Sequence, residues 1–166
     1  SPIDAITKSY GYFKTPIGST FPFEEGIVLT TGHAFPAGNT LNSARVDFSN
    51  GLGSDVDLEN ALSQTNTSDA TYVKFNFIPT SNSISFRFLM ASEEYDGDSE
   101  CFFADSFAFL LREVGTTTYT NLAVLPDGTP VSVKNINDAN GCRANVSFFE
   151  GYNINDTNYG GRTKVL

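Results

Sequence analysis

Two runs near the middle of the chain alternate apolar and polar side chains with a two-residue period. From Thr71 to Ile78, Val73, Phe75 and Phe77 share one face, and Tyr72, Lys74 and Asn76 share the other. After a turn at Pro79 to Asn82, the run Ser83 to Met90 places Ile84, Phe86, Phe88 and Met90 together. Side chains repeat every second residue on a strand and not on a helix, so the pattern predicts an antiparallel hairpin with one buried face. Phe107, Phe109 and Leu111 continue it. Weaker strands are predicted at Tyr119 to Leu125, Val131 to Asn137, Ala144 to Phe149 and Gly161 to Leu166. The compact apolar run GIVLTTG, from Gly26, reads as a buried strand, and Ser1 to Glu25 as one irregular edge strand. Regular short strands with turns between them predict an all-β chain, an antiparallel β-sandwich (jelly-roll-like) of two sheets with at most one short helix. The fifteen Phe fill the core between the sheets. The helix is placed over Leu58 to Ser63 with Asp57 as its cap, and Ala37 to Ser54 reads as loop. At 166 residues the chain is expected to be a single domain, 1–166.

Chemistry concentrates in Ala91 to Leu111, ASEEYDGDSECFFADSFAFLL, where a burst of carboxylates runs into an alternating strand. Glu93, Glu94, Asp96, Asp98, Glu100 and Asp105 are six of the nineteen acidic residues, and no Lys or Arg occurs between Arg87 and Arg112. Crowded carboxylates raise one another's pKa unless a cation neutralises them. An all-oxygen donor set selects calcium among common metals. The expected ligands are therefore Glu93, Glu94, Asp96, Asp98 and Asp105, with Asp55 and Asp57 as reserve ligands reaching across from the helix. The alternative is a solvated acidic loop. Glu93 and Glu94 are neighbours, so both serve one ion only if the strand ends or bulges there. The stretch is no EF-hand, which would place Gly and Glu where this chain has Cys101 and Phe107.

Net charge of −9 and a pI near 4.4 exclude the basic patches that nucleic acids and anionic membranes demand. No apolar run approaches the length of a membrane span. Cys101, Cys142 and the single histidine, His33, are too few for a structural zinc site. An even cysteine count and a composition rich in Asn, Thr, Gly and Ser suit a secreted chain whose cysteines pair, with two buried thiols as the alternative. Sequons at Asn66, Asn145 and Asn155 are expected by chance in such a composition.

No enzyme is expected. There is no G-x-S-x-G, and nothing ties His33 to a serine. Laminarinase-type glycoside hydrolases carry E-x-D-x-E on one strand, which sets two carboxyls roughly 5 Å apart. Glu94, Asp96 and Asp98 keep that alternation, but the third residue is Asp and Gly97 weakens the strand. The segment Ala104 to Phe109 also resembles the A-D-G-x-A-F strand of legume-type lectins, with Ser106 in place of the glycine, which makes carbohydrate a candidate ligand.

The run GIVLTTG, the loop SDVDLENAL, the strand pair FNFIPTSNSISFRF, the motif ASEEY and the later CFFADSFAF together resemble the choice-of-anchor L domain of bacterial secreted and surface proteins, over about Gly11 to Leu166. The resemblance implies a β-sandwich module of a secreted or cell-surface, adhesin-like protein, and a Cys101–Cys142 disulfide. Its implied partners are an extracellular glycan or protein. Ala104 stands where members commonly have Asn. Members also usually continue past Thr163 to Leu166, so the reading includes a sandwich without its last strands, whose open edge is completed by a neighbouring chain in a homo-oligomer.

Overall fold

The computed structural model describes residues 8–38, 46–154 and 156–166. The readings made above for residues 1–7 and 39–45, and the sequon at Asn155, lie outside these. The fold is all-β and antiparallel, with one short α-helix. Among the described residues its ladders fall into three sheets, rather than the expected two.

The first sheet is the hairpin of β1 (Tyr10–Lys14) and β2 (Glu25–Leu29), in register from Tyr10 opposite Leu29 to Lys14 opposite Glu25. These are the predicted edge strand and GIVLTTG strand. The helix α1 (Val56–Leu62) begins two residues before the expected start. Asp55, not Asp57, is its cap, because Asp55 holds the extended conformation from which its carboxylate accepts the Leu58 N–H at 2.8 Å.

The second sheet orders β3 (Ala91–Ser92), β7 (Gly161–Thr163) and β6 (Phe149–Tyr152) with β7 in the centre. Backbone pairing continues beyond the ladder: Phe88 and Leu166 exchange N–H···O=C bonds of 3.2 and 2.9 Å, and the Lys164 N–H donates to Phe148 at 2.8 Å. The C-terminal strand is thus paired on both sides among the described residues. The predicted strand Ala144 to Phe149 is instead a 3-10 turn over Val146–Phe148, launched by Asn145 at positive φ, and the strand starts at Phe149.

The third sheet pairs β4 (Leu110–Leu111) with β5 (Thr120–Asn121). Isolated bridges Ser106 to Ser132 and Val124 to Pro130 extend this meander. Met90, Tyr95, Leu125, Val131, Val133, Ile136 and Phe149 form the buried core, with Phe88, Phe107 and Phe148 packed at its margin.

The predicted hairpin is not formed among the described residues. Thr71 to Ile78 and Ser83 to Arg87 carry no ladder, and Phe88 to Ser92 pair with the C-terminal strand instead. Alternation states which side chains share a face; it leaves the partner strand open. Val73, Phe75, Phe77, Ile84 and Phe86 line a cleft of 3320 Å³ rather than a closed core. Small-molecule pockets measure about 300–1,000 Å³, so this opening is not one of them. Phe86 still packs on Phe109 (3.9 Å between centroids) and Phe88 on Phe107 (4.7 Å), in each case with the rings tilted.

Candidate metal centre

Strand β3 ends at Ser92, and the chain turns at Glu93 and Glu94. The cause is local. Buried Ser92 accepts the Glu94 N–H at its Oγ (3.0 Å) and donates the same hydroxyl to Asp105 Oδ2 (2.7 Å). The two neighbouring glutamates therefore leave the pleat. One hydroxyl also ties this turn to Asp105, thirteen residues on.

The Glu93 carboxyl is half-buried, and its pKa is pushed up to about 7. Burial is the largest cause. A backbone hydrogen bond at Glu93 itself opposes it, and the negative charges of Asp105, Glu94 and Asp47 add to it. Tyr159, whose hydroxyl lies 3.3 Å from that of Thr30, is held protonated mainly by its own burial and also by the charges of Glu93 and Asp105.

The backbone behind the turn is fixed by close contacts. A Cβ on Gly160 would stand 2.3 Å from the Tyr95 carbonyl oxygen and 2.9 Å from that of Glu93, and one on Gly161 would stand 2.8 Å from Tyr95 Cβ. Only glycine lets β7 approach so near. Tyr95 is fully buried, donates its hydroxyl to the Ile136 carbonyl at 2.8 Å and packs on Phe149.

The remaining expected ligands are placed differently. Asp96 folds back on its own turn, accepting from the backbone of Asp98 (2.9 Å) and Ser99 (2.7 Å) and from the Ser99 hydroxyl (2.7 Å). Asp98 is exposed at the start of the 3-10 turn Ser99–Cys101. Asp55 is committed to capping α1, and Asp57 lies in that helix's first turn. Glu100 is fully buried and accepts the Gly97 N–H with both oxygens. Among the described residues, no three His, Cys, Asp or Glu side chains are gathered closely enough to hold a metal ion as they stand.

Asp105 and Glu94 lie near enough to Glu93 for their charges to act on it, while Asp96, Asp98, Asp55 and Asp57 are engaged or placed elsewhere. The E-x-D-x-D alternation lies on turns and bends, not on a strand, so Glu94, Asp96 and Asp98 do not share a strand face as the glycosidase reading requires. Sequence reading missed Asp47, Ser92 and Tyr159, which are distant in sequence or chemically unremarkable. It also missed the Gly160–Gly161 pair, where adjacent glycines signalled a close backbone approach.

The raised Glu93 pKa sets a pH dependence. Its folded value lies above its unfolded one, so its contribution is complete below about pH 4.5 and is lost as pH rises through 7. In chelator, melts at pH 5 and pH 7.5 are expected to show this fall, and Glu93→Gln to flatten it. An unchanged slope in Glu93→Gln would place the titration elsewhere.

Cys101 and Cys142 form a disulfide with a Cα separation of 5.5 Å, joining the end of the acidic loop to the loop after Asn137. Among the described residues no helix is long and apolar enough to cross a membrane. An antiparallel β domain tied by a disulfide belongs to the class of proteins built for oxidising compartments. A family model for the choice-of-anchor L domain matches residues 2–166, and the chain belongs to this family. Membership makes it a bacterial surface-associated protein, in a family of surface domains rather than of known enzymes. No curated protein matches the chain, and no solved structure does.

Proposed function

We propose that this chain is an extracellular module for adhesion or ligand binding, stabilised by one calcium ion held between Glu93 and Asp105, with Glu94 and Asp47 beside them. The observation that carries this reading is the half-buried Glu93 carboxyl at the end of β3, on which the charge of Asp105 acts, with Asp105 itself tied to the same turn by Ser92. A half-buried carboxylate that feels neighbouring negative charge is costly to ionise, and a divalent cation removes that cost. Calcium tolerates irregular coordination and accepts carbonyl and water oxygens, so a pair of carboxylates closing on the ion is a sufficient anionic core. The ion displaces the Glu93 proton and fixes the loop from Glu93 to Glu100. A ligand then approaches over that loop, and an exposed glycan hydroxyl pair or a protein carboxylate suits an open calcium position.

The test is a thermal melt in excess calcium and then in chelator. Saturation at a hundredfold excess over Kd adds about 3 kcal/mol, or a Tm rise of about 6–12 °C for a domain of this size. Asp105→Asn is expected to abolish the rise. Equal melting temperatures with and without calcium would leave the acidic loop as a solvated one.

A second reading, a polymer subunit completed by a neighbour's strand, is favoured by one observation. The extended run Tyr72 to Arg87 presents apolar side chains without a ladder among the described residues. It predicts concentration-dependent oligomers in sedimentation, and a monomer at all concentrations would sink it.

A further inference from the structure

Most exposed aromatic side chains, among them Tyr12, Tyr72, Phe75 and Phe86, line the cleft. Phe102 does not. At 80% exposure it is the most exposed aromatic among the described residues, and its neighbour Phe103, 55% exposed, stands at the edge of the cleft. The backbone beneath them is firmly held. Both Phe N–H groups donate to the Ser99 carbonyl at 2.9 Å, the Cys101 N–H donates to Asp98 at 3.2 Å, and Cys101 is bonded to Cys142. An aromatic pair presented on a disulfide-pinned turn loses little further freedom on binding, which is what an interface anchor requires.

The turn that carries this anchor is acidic. Asp98 and Asp96 are exposed on the turn that carries it, and no Lys or Arg occurs in sequence between Arg87 and Arg112. Arg143, next to Cys142, is already paired with Asp138. We infer that Phe102, with Phe103, is the anchor of a protein-docking surface, and that its partner presents an apolar pocket bordered by Lys and Arg side chains. A second copy of this chain does not meet that description, because its net charge is −9. The inference does not depend on calcium.

The probes are two synthetic amphipathic helical peptides, one of Leu and Lys and one of Leu and Glu, titrated into the folded chain in chelator. The Leu/Lys peptide is expected to bind, with affinity at least tenfold weaker for Phe102→Ser, weaker for Asp98→Lys and weaker in added salt; the Leu/Glu peptide is expected not to bind. Both substitutions lie on the exposed surface, and an unchanged melting temperature confirms that each variant is folded. Equal binding of the Leu/Lys peptide by Phe102→Ser, or equal binding of the two peptides, would overturn the assignment. Phe102-dependent pelleting with neutral phosphatidylcholine vesicles would also overturn it, in favour of a lipid surface.

Discussion

Tyr95→Ala is expected to lower the stability of the domain by about 3–5 kcal/mol, the range for deleting a large aromatic from a packed core. Tyr95 lies within the acidic loop, yet it is 0% exposed, packs on Phe149 at 4.9 Å and sits where Gly160 and Gly161 leave room for it. It is the point at which the loop is fastened to the core. Tyr95→Phe keeps the ring and removes the hydroxyl that serves the Ile136 carbonyl, for an expected cost of about 1–3 kcal/mol. Denaturant melts of the two variants separate these parts. A Tyr95→Ala loss below 1 kcal/mol would mean that the ring is not in the core.

Reducing the disulfide is expected to have an effect of similar size. The bond spans 41 residues, and closing a loop of that length removes about 4 kcal/mol of conformational entropy from the unfolded chain. For a domain of this size the Tm should fall by about 8–16 °C. The double variant Cys101→Ser, Cys142→Ser should reproduce the fall without reductant. A melt indifferent to reductant in the wild type would show that the two sulfurs are not bonded in solution.

The strands that could be read from the sequence are those whose partners are near. GIVLTTG and the edge strand before it are close in sequence and pair with one another, although GIVLTTG, read as a buried strand, is partly exposed in β2. The run Ser83 to Met90 was recognised as a strand by its alternation, but its nearest neighbour in sequence is not its partner. Its last residues pair with Leu166 and Thr163, more than seventy residues away, and no local signal names such a partner. The helix was found two residues late because Asp55 and Asp57 are equally good caps, and only backbone geometry distinguishes them.

The candidate site divides in the same way. Side-chain alternation says only that Glu93 and Glu94 can serve one ion if the strand ends or bulges there, and it is Ser92 that turns the chain at that point. Asp105 was legible because it lies in the same acidic stretch. Asp96 and Asp55 looked like ligands because a carboxylate that closes a turn or caps a helix is the same residue type as one that binds an ion. Asp47 and Tyr159 reach Glu93 only through the fold.

The central claim, a calcium ion held by Glu93 and Asp105, is tested most directly by calorimetric titration of calcium at pH 7 in buffers of different ionisation enthalpy. One ion should bind, releasing about half a proton, because Glu93 titrates near 7 and must be ionised to act as a ligand. Affinity should weaken toward pH 5.5, and the proton release should vanish in Glu93→Gln. Absence of binding heat in every buffer, or binding with no released proton and no loss in Glu93→Gln, would contradict the claim.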